Sequence, residues 1–137
     1  MLSEVTGGTS MEEKNSKEKC LYEPTEILIF PCSGESNVGQ IANETAKSLT
    51  TLGKGKMYCL AGIGGHINNI IESTKAAKKI IAIDGCPVLC AKKSLEHAGF
   101  DVDISEVFTE IGIQKKSNFY MDIEEIDSVS DKISSQI

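Results

Sequence analysis

Five cysteines give this chain its clearest capacity for chemistry, because thiols bind soft metal ions and exchange disulfides. Four of them come near the ends of apolar runs: Cys32 follows ILIFP, Cys59 lies in KMYCLAG, Cys86 follows IIAIDG, and Cys90 comes four residues later. Cys32, Cys59 and Cys86 are spaced by 27 residues, about one strand and one helix. Neighbouring parallel strands end at the same edge of a sheet, so this spacing predicts four thiols in one crevice.

Four thiolates suit a tetrahedral zinc ion with bonds of about 2.3 Å, and an iron–sulfur cluster is the competing occupant. A site closed by all four favours a structural, sensing or metal-carrying role, whereas an open position would allow Lewis-acid chemistry. Cys86 and Cys90 are expected on one face of a helix that begins at Pro87, with Cys86 at its N-terminus. The enzyme alternative is thiol–disulfide exchange, with Cys32 as nucleophile and Cys86 or Cys90 as resolving thiol.

Other polar residues near this pattern have two interpretations each. Asp84 is either a turn residue whose carboxylate binds the amides around Gly85, or a proton carrier beside the thiols. His66 is interpreted as a solvated residue at a helix start, with a ligand or proton-transfer role as the alternative. His97 is interpreted as a dipole partner near a helix C-terminus. Cys20 lies in a polar segment outside the pattern and is expected to be a free thiol.

Charge and composition argue against several classes of protein. The net charge is −6, and all 14 cations are lysines, which disfavours nucleic-acid binding because it requires a concentrated basic face. No apolar stretch approaches the roughly 20 residues of a membrane-spanning helix. The N-terminus has no apolar core of a secretory signal, so a cytoplasmic location is expected. Thiols stay reduced in the cytoplasm, where clustered cysteines indicate metal or redox sites and not structural disulfides.

The elements that must position the thiols follow from apolar periodicity. Residues 1–25 are expected to form a flexible polar arm, and residues 26–137 a single domain. Strands are predicted over 27–30, 56–60, 80–83 and about 100–105, with helices from about 37, 67, 87 and 121. This alternation predicts a small three-layer, Rossmann-like α/β domain with a mainly parallel sheet of about four strands. The acidic last helix is expected to pack on the domain through its apolar stripe.

Three segments carry a resemblance to a known family: PCSGESNVGQIANETAKSL, MYCLAGIGG and IDGCPVLCAKKSLEHAGF. Over about residues 26–115 the chain resembles the DGC-domain family, named for an Asp-Gly-Cys motif that is here Asp84-Gly85-Cys86. The resemblance implies that the family's four shared cysteines, which are proposed to bind zinc, are here Cys32, Cys59, Cys86 and Cys90.

A second resemblance concerns the loop CSGES that starts at Cys32. A strand, this loop and a following helix are similar to the anion-binding loop of low-molecular-weight phosphatases and thioredoxin-coupled arsenate reductases. Those enzymes grip an oxyanion with an arginine, but Val38 stands where their C-x5-R pattern places it, and the chain contains no arginine. Oxyanion chemistry is therefore not expected, whereas a thiol relay between Cys32 and the Cys86/Cys90 pair stays open.

Overall fold

A computed structural model describes residues 26–137, so the predicted arm over residues 1–25, with Cys20, lies outside the described residues. In chain order the elements are β1 (Ile27–Pro31), α1 (Asn37–Thr51), β2 (Lys56–Met57), α2 (Leu60–Gly64), α3 (Asn68–Lys75), β3 (Lys79–Asp84), α4 (Cys90–His97), β4 (Ile104–Val107), a 3₁₀ turn (Phe108–Ile111) and α5 (Ile123–Ser134). Strands and helices therefore alternate as the sequence predicts, except that two helices, α2 and α3, follow β2 where the sequence predicts one.

The four strands form one parallel sheet in the order β2-β1-β3-β4. In the register of the sheet, Ile29 of β1 pairs with Met57 of β2 and with Ile81 of β3. The chain moves from β1 to one neighbour and then crosses to the other, which is the strand order of doubly wound folds. The prediction of a small α/β domain with a parallel sheet is confirmed.

Apolar side chains cover both faces of this sheet. On one face lies a cluster built mainly from the central strands, α1 and α5: Ile29, Val38, Ile41, Ala42, Ala46, Leu49, Ile81, Ile83, Phe108, Ile113, Val129 and Ile133. On the other face lies a cluster built from the same strands, α2 and α4: Leu28, Phe30, Ile63, Ile80, Ala82, Ala91 and Leu95. We call them the α1–α5 cluster and the α2–α4 cluster. Neighbouring residues of β1 alternate between the two, as the pleat of a strand requires.

Helix α1 forms where the sequence predicts it. The Ser36 hydroxyl accepts a hydrogen bond from the Gly39 amide at 3.3 Å and so caps the first turn. At the other end Gly53 has a φ of +77°, the left-handed backbone that ends a helix and favours glycine. This helix starts immediately after the CSGES loop and fixes the direction in which that loop leaves β1.

The second and fourth strands differ from the prediction. Strand β2 ends at Met57 because the chain enters helix α2 at Leu60. Strand β4 begins only at Ile104; just before it, the Asp103 amide donates to the Ile80 carbonyl at 2.9 Å and the Asp103 carboxylate accepts from the Ile80 amide at 2.7 Å. The preceding apolar alternation has another cause: Phe100 packs against the α2–α4 cluster.

Helix α5 packs on the α1 side of the sheet, as expected for its apolar stripe. Val129 and Ile133 are buried there, and the exposed face carries most of the acidic residues. Glu106 of β4 ties the helix to the sheet edge through Lys132 at 3.4 Å and Gln136 at 3.1 Å. In residues 26–137 no helix is both long and apolar enough to span a membrane.

Candidate functional site

The candidate site lies where the strand order reverses, between the C-terminal ends of β1 and β3. Helices leave these two adjacent strands toward opposite faces of the sheet, and this divergence opens a crevice in doubly wound folds. The Cys32 amide donates to the Ile83 carbonyl at 3.0 Å, which continues the pairing one residue beyond β1. The Cys32 sulfur accepts a hydrogen bond from the Gly85 amide at 3.4 Å. Cys32 and the Asp-Gly-Cys motif therefore meet directly at the switch point.

The Cys32 thiol is half-buried and contacts both apolar clusters. Burial is the main influence on this group and raises the pKa of the Cys32 thiol above its ordinary value of 9.0. Backbone hydrogen bonds from Gly85 and Gly34 lower that pKa in part, while electrostatic interactions with Asp84 and Cys90 raise it further. Cys32 is therefore a neutral thiol at physiological pH, and Cys90 lies close enough to influence its ionisation.

Asp84 caps helix α4, although it lies several residues before the helix in the sequence. Its carboxylate oxygens accept hydrogen bonds from the Ala91 amide at 2.7 Å and the Lys92 amide at 3.1 Å, in the first turn of α4. The residue that precedes this helix, Leu89, makes no side-chain cap of its own. The interpretation of Asp84 as a turn residue that binds the amides around Gly85 is therefore wrong. The amides that it binds belong to α4. Burial raises the pKa of the Asp84 carboxyl above 3.8, although both amide hydrogen bonds and the charge of Lys92 oppose the shift.

Gly85 is a glycine because the backbone of α1 presses against it. A Cβ atom at this position would lie 2.6 Å from the Val38 carbonyl carbon and 2.8 Å from the Gly39 nitrogen. Both are main-chain atoms of the first helical turn, so no side-chain movement would relieve the overlap. Gly39 is equally confined, since its Cβ would lie 2.6 Å from the Gly34 nitrogen. The CSGES loop, α1 and the Asp-Gly-Cys motif thus fit together only with glycine at these contacts.

The prediction that Cys86 and Cys90 share a helical face is wrong. Helix α4 begins at Cys90, three residues after the predicted start at Pro87, and Cys86 lies in a preceding turn closed by the Leu89 amide and the Cys86 carbonyl at 3.2 Å. Leu89 has a φ of +60°, which interrupts the helical backbone between the two cysteines. Cys86 is partly buried against the α1–α5 cluster, whereas Cys90 is exposed.

A second segment, residues 114–116, also reaches Cys86. The Lys115 ammonium group donates to the Cys86 sulfur at 3.5 Å. Buried Asn37 holds this segment in place: its side chain donates to the Gln114 carbonyl at 2.9 Å and accepts from the Lys116 amide at 2.5 Å. These partners are more than 70 residues away from Asn37, so no local sequence pattern predicts them.

Cys59 occupies the other side of the site. It is exposed, lies at the N-cap of short helix α2, and makes no capping hydrogen bond. Cys59 and Cys32 line the same surface pocket of about 490 Å³, together with Asn43, Met57 and Ser94. Cys32 therefore lines a pocket with Cys59 and also contacts the Asp-Gly-Cys motif.

The fit of these thiols to a metal ion depends on donor type and on placement. Thiol donors match zinc. The four cysteines of the described chain are free, but within residues 26–137 no three histidine, cysteine, aspartate or glutamate side chains converge closely enough to hold an ion. The thiols thus form an open set of donors, and their placement does not make a tetrahedral site as it stands.

Backbone strain marks two positions beside the thiols that the sequence does not predict. Ser33, next to Cys32, has a φ of +50°, and Leu89, next to Cys90, has a φ of +60°. Residues other than glycine rarely adopt this backbone, and such strain concentrates at functional sites. Of the two histidines, His66 lies beyond α2 and contacts the ring of His97 at the end of α4.

A doubly wound α/β domain with thiols at its switch point is the class that this fold and site define. The family model of the DGC domain matches residues 28–133, and the chain belongs to that family. A curated relative, the anaerobic and virulence modulator AnvM of Pseudomonas aeruginosa, is 34% identical over 89 residues, which cover 65% of this chain and 68% of AnvM. No solved structure matches significantly.

Proposed function

We propose that this DGC-domain protein binds a thiophilic metal ion, with zinc as the expected ion, and that binding serves sensing and not catalysis. The proposed ligands are Cys32, Cys59, Cys86 and Cys90. The observation that carries the proposal is the position of Cys32, which contacts the Asp-Gly-Cys motif, lies close to Cys90 and shares a pocket with Cys59. Because two of the other thiols are exposed, we infer that the ligand set closes when the ion binds.

The state of Cys32 favours a ligand over a nucleophile. A thiol nucleophile reacts as the thiolate, and burial raises the pKa of Cys32, so the free protein holds little thiolate there at neutral pH. A bound metal ion removes this obstacle because it deprotonates a coordinating thiol. The competing thiol relay, with Cys32 as nucleophile and Cys86 or Cys90 as resolving thiol, would have to start from a Cys32 thiolate that burial disfavours.

The name of the relative supports a regulatory role. AnvM is called an anaerobic and virulence modulator, a description of regulation and not of a reaction. Carried to this chain as a proposal, it favours a domain that reports metal supply in a reducing cytoplasm, where thiols are available as ligands.

Zinc content and thiol reactivity test the proposal together. The full chain is purified under reducing, chelator-free conditions, and bound zinc and reactive thiols are measured before and after chelation. We expect close to one equivalent of zinc, with thiols that react only once it is removed. The Cys32→Ser variant should lose the ion, while Cys20→Ser, a matched change outside the proposed ligand set, should keep it.

The proposal also predicts how zinc affinity changes with pH. Cys32 must release its proton to bind zinc, and its raised pKa makes that release costly, so affinity should rise as pH increases toward 9. A protein without zinc affinity whose Cys32 is alkylated rapidly at pH 7, and forms a disulfide with Cys86 or Cys90, would overturn the proposal in favour of the relay.

A further inference from the structure

The two histidines of this chain lie side by side, although 31 residues separate them. His66 follows helix α2 and His97 is the last residue of α4, and the packing of these helices brings both side chains to one exposed surface. Their ring centroids are 5.7 Å apart and the ring planes are inclined at 60°, so the imidazoles are not stacked face to face. Neither histidine is needed for the core or for the cysteine site.

The backbone at His66 has a left-handed conformation that glycine adopts without strain. Helix α2 ends with hydrogen bonds from the His66 amide to the Ile63 carbonyl and from the Ile67 amide to the Gly62 carbonyl. In this pattern the first residue after the C-cap of the helix has a left-handed backbone, and that residue is usually glycine. Here the residue is His66, with a φ of +55°, while Gly65 just before it has an ordinary φ of −87°. Such strain at a non-glycine residue is typical of functional positions.

The ring separation agrees with two imidazoles bound to one ion. With metal–nitrogen bonds of about 2.0–2.1 Å and each centroid about 1.2 Å beyond its nitrogen, a tetrahedral ion holds the centroids roughly 5.3 Å apart. The observed 5.7 Å is close to that value. Both side chains are exposed, so rotation about their side-chain bonds is free to direct one nitrogen of each ring to a shared ion.

We propose that His66 and His97 form a second metal site, a two-imidazole site for a borderline divalent ion such as Ni²⁺ or Zn²⁺. Imidazole nitrogen suits these ions. In the described part of the chain no third histidine, cysteine or carboxylate joins the pair, so water completes the coordination and the bound ion exchanges readily. This site does not depend on the cysteine ligands proposed above.

Nickel titration of the full chain tests the pair directly. The chain contains only two histidines, so imidazole NMR signals report this site alone. We expect sub-stoichiometric Ni²⁺ to broaden both rings together, with one apparent Kd. The His97→Gln variant should weaken binding by at least about tenfold, since even an outer-shell partner of a metal ligand is worth that much. Glu96→Gln, a control that keeps both rings, should bind as the wild type does.

A second variant separates binding from folding. His66→Gly removes one ring and relieves the left-handed backbone, so it should lose Ni²⁺ affinity while its melting temperature rises by roughly 2–4 °C. Rings that titrate separately, or equal Ni²⁺ affinity in wild type and His97→Gln, would overturn the proposal. Binding lost in Cys32→Ser but kept in His97→Gln would also overturn it, by assigning the ion to the thiols. Binding kept in Cys32→Ser supports the histidine pair whether or not the thiols bind zinc.

Discussion

Two connections carry cysteines into the candidate site, and they differ in how firmly the fold holds them. The connection after β3 is anchored by buried groups: Asp84 caps α4, and Gly85 lies against the α1 backbone. The connection after β2 is open: Cys59 is exposed and its side chain caps nothing. Cys32 contacts the β3 connection through Gly85 and lines a pocket with Cys59 of the β2 connection.

This difference indicates that the β3 side of the site is preformed and the β2 side is not. Contacts on the β3 side depend on main-chain atoms that cannot move without unfolding the first turn of α1. On the β2 side the thiol depends on no described hydrogen bond of its own side chain, so it is free to shift toward a ligand. Under the function proposed above, an ion would bind to Cys32 and recruit the exposed thiols Cys59 and Cys90. Substitutions of Asp84 and Gly85 on the β3 side should affect folding, whereas substitution of Cys59 on the β2 side should affect binding alone.

The largest expected effect is that of Gly85→Ala. Its Cβ would overlap the main chain of Val38 and Gly39, so the free energy of unfolding should fall by about 3 kcal/mol or more. Gly64→Ala is the matched control, because no atom lies within 4 Å of its Cβ and its φ is not left-handed; it should be neutral or slightly stabilising. Urea denaturation of both variants measures the difference. Equal stabilities would show that the close approach of α1 is not rigid.

Asp84 should have an intermediate effect with a defined pH dependence. Asp84→Ala leaves the Ala91 and Lys92 amides without their acceptor and should cost about 1–2 kcal/mol. The pKa of Asp84 is raised in the folded protein, so its contribution is fully present below 3.8 and declines as pH rises through the folded value. Measured against Asp84→Asn, which does not titrate, wild-type stability should therefore decrease over that window and then level off. A difference that grows with pH would contradict the burial of this carboxyl.

The smallest effects separate Cys32 from Cys59. In metal-free protein, Cys32→Ser places a hydroxyl against two apolar clusters and should cost about 1 kcal/mol. Cys59→Ser changes an exposed side chain and should stay within about 0.5 kcal/mol of wild type. Thermal unfolding in chelator resolves the two. A larger loss for Cys59→Ser would mean that the β2 side is not the open half of the site.

Local patterns in the sequence were sufficient for the main strands and helices of the fold. The continuous apolar run of β1, the Ser36 cap and Gly53 specify β1 and α1 through contacts within a few residues. The equal spacing of Cys32, Cys59 and Cys86 follows from one βα unit per interval, and a parallel sheet makes those strand ends neighbours. Such signals are short-range or periodic, so they can be read along the chain.

Only the tertiary structure decided how the thiols are presented. The start of α4 depends on Asp84, whose carboxylate accepts from the Ala91 amide across six intervening residues, so the predicted start at Pro87 is wrong. The fixing of Lys115 beside Cys86 depends on Asn37, and the pairing of His66 with His97 depends on the packing of α2 on α4. The sequence by itself thus determined which strands and helices the cysteines follow or begin. Their burial, ionisation and partners are long-range consequences of packing, because they depend on distances that no local pattern encodes.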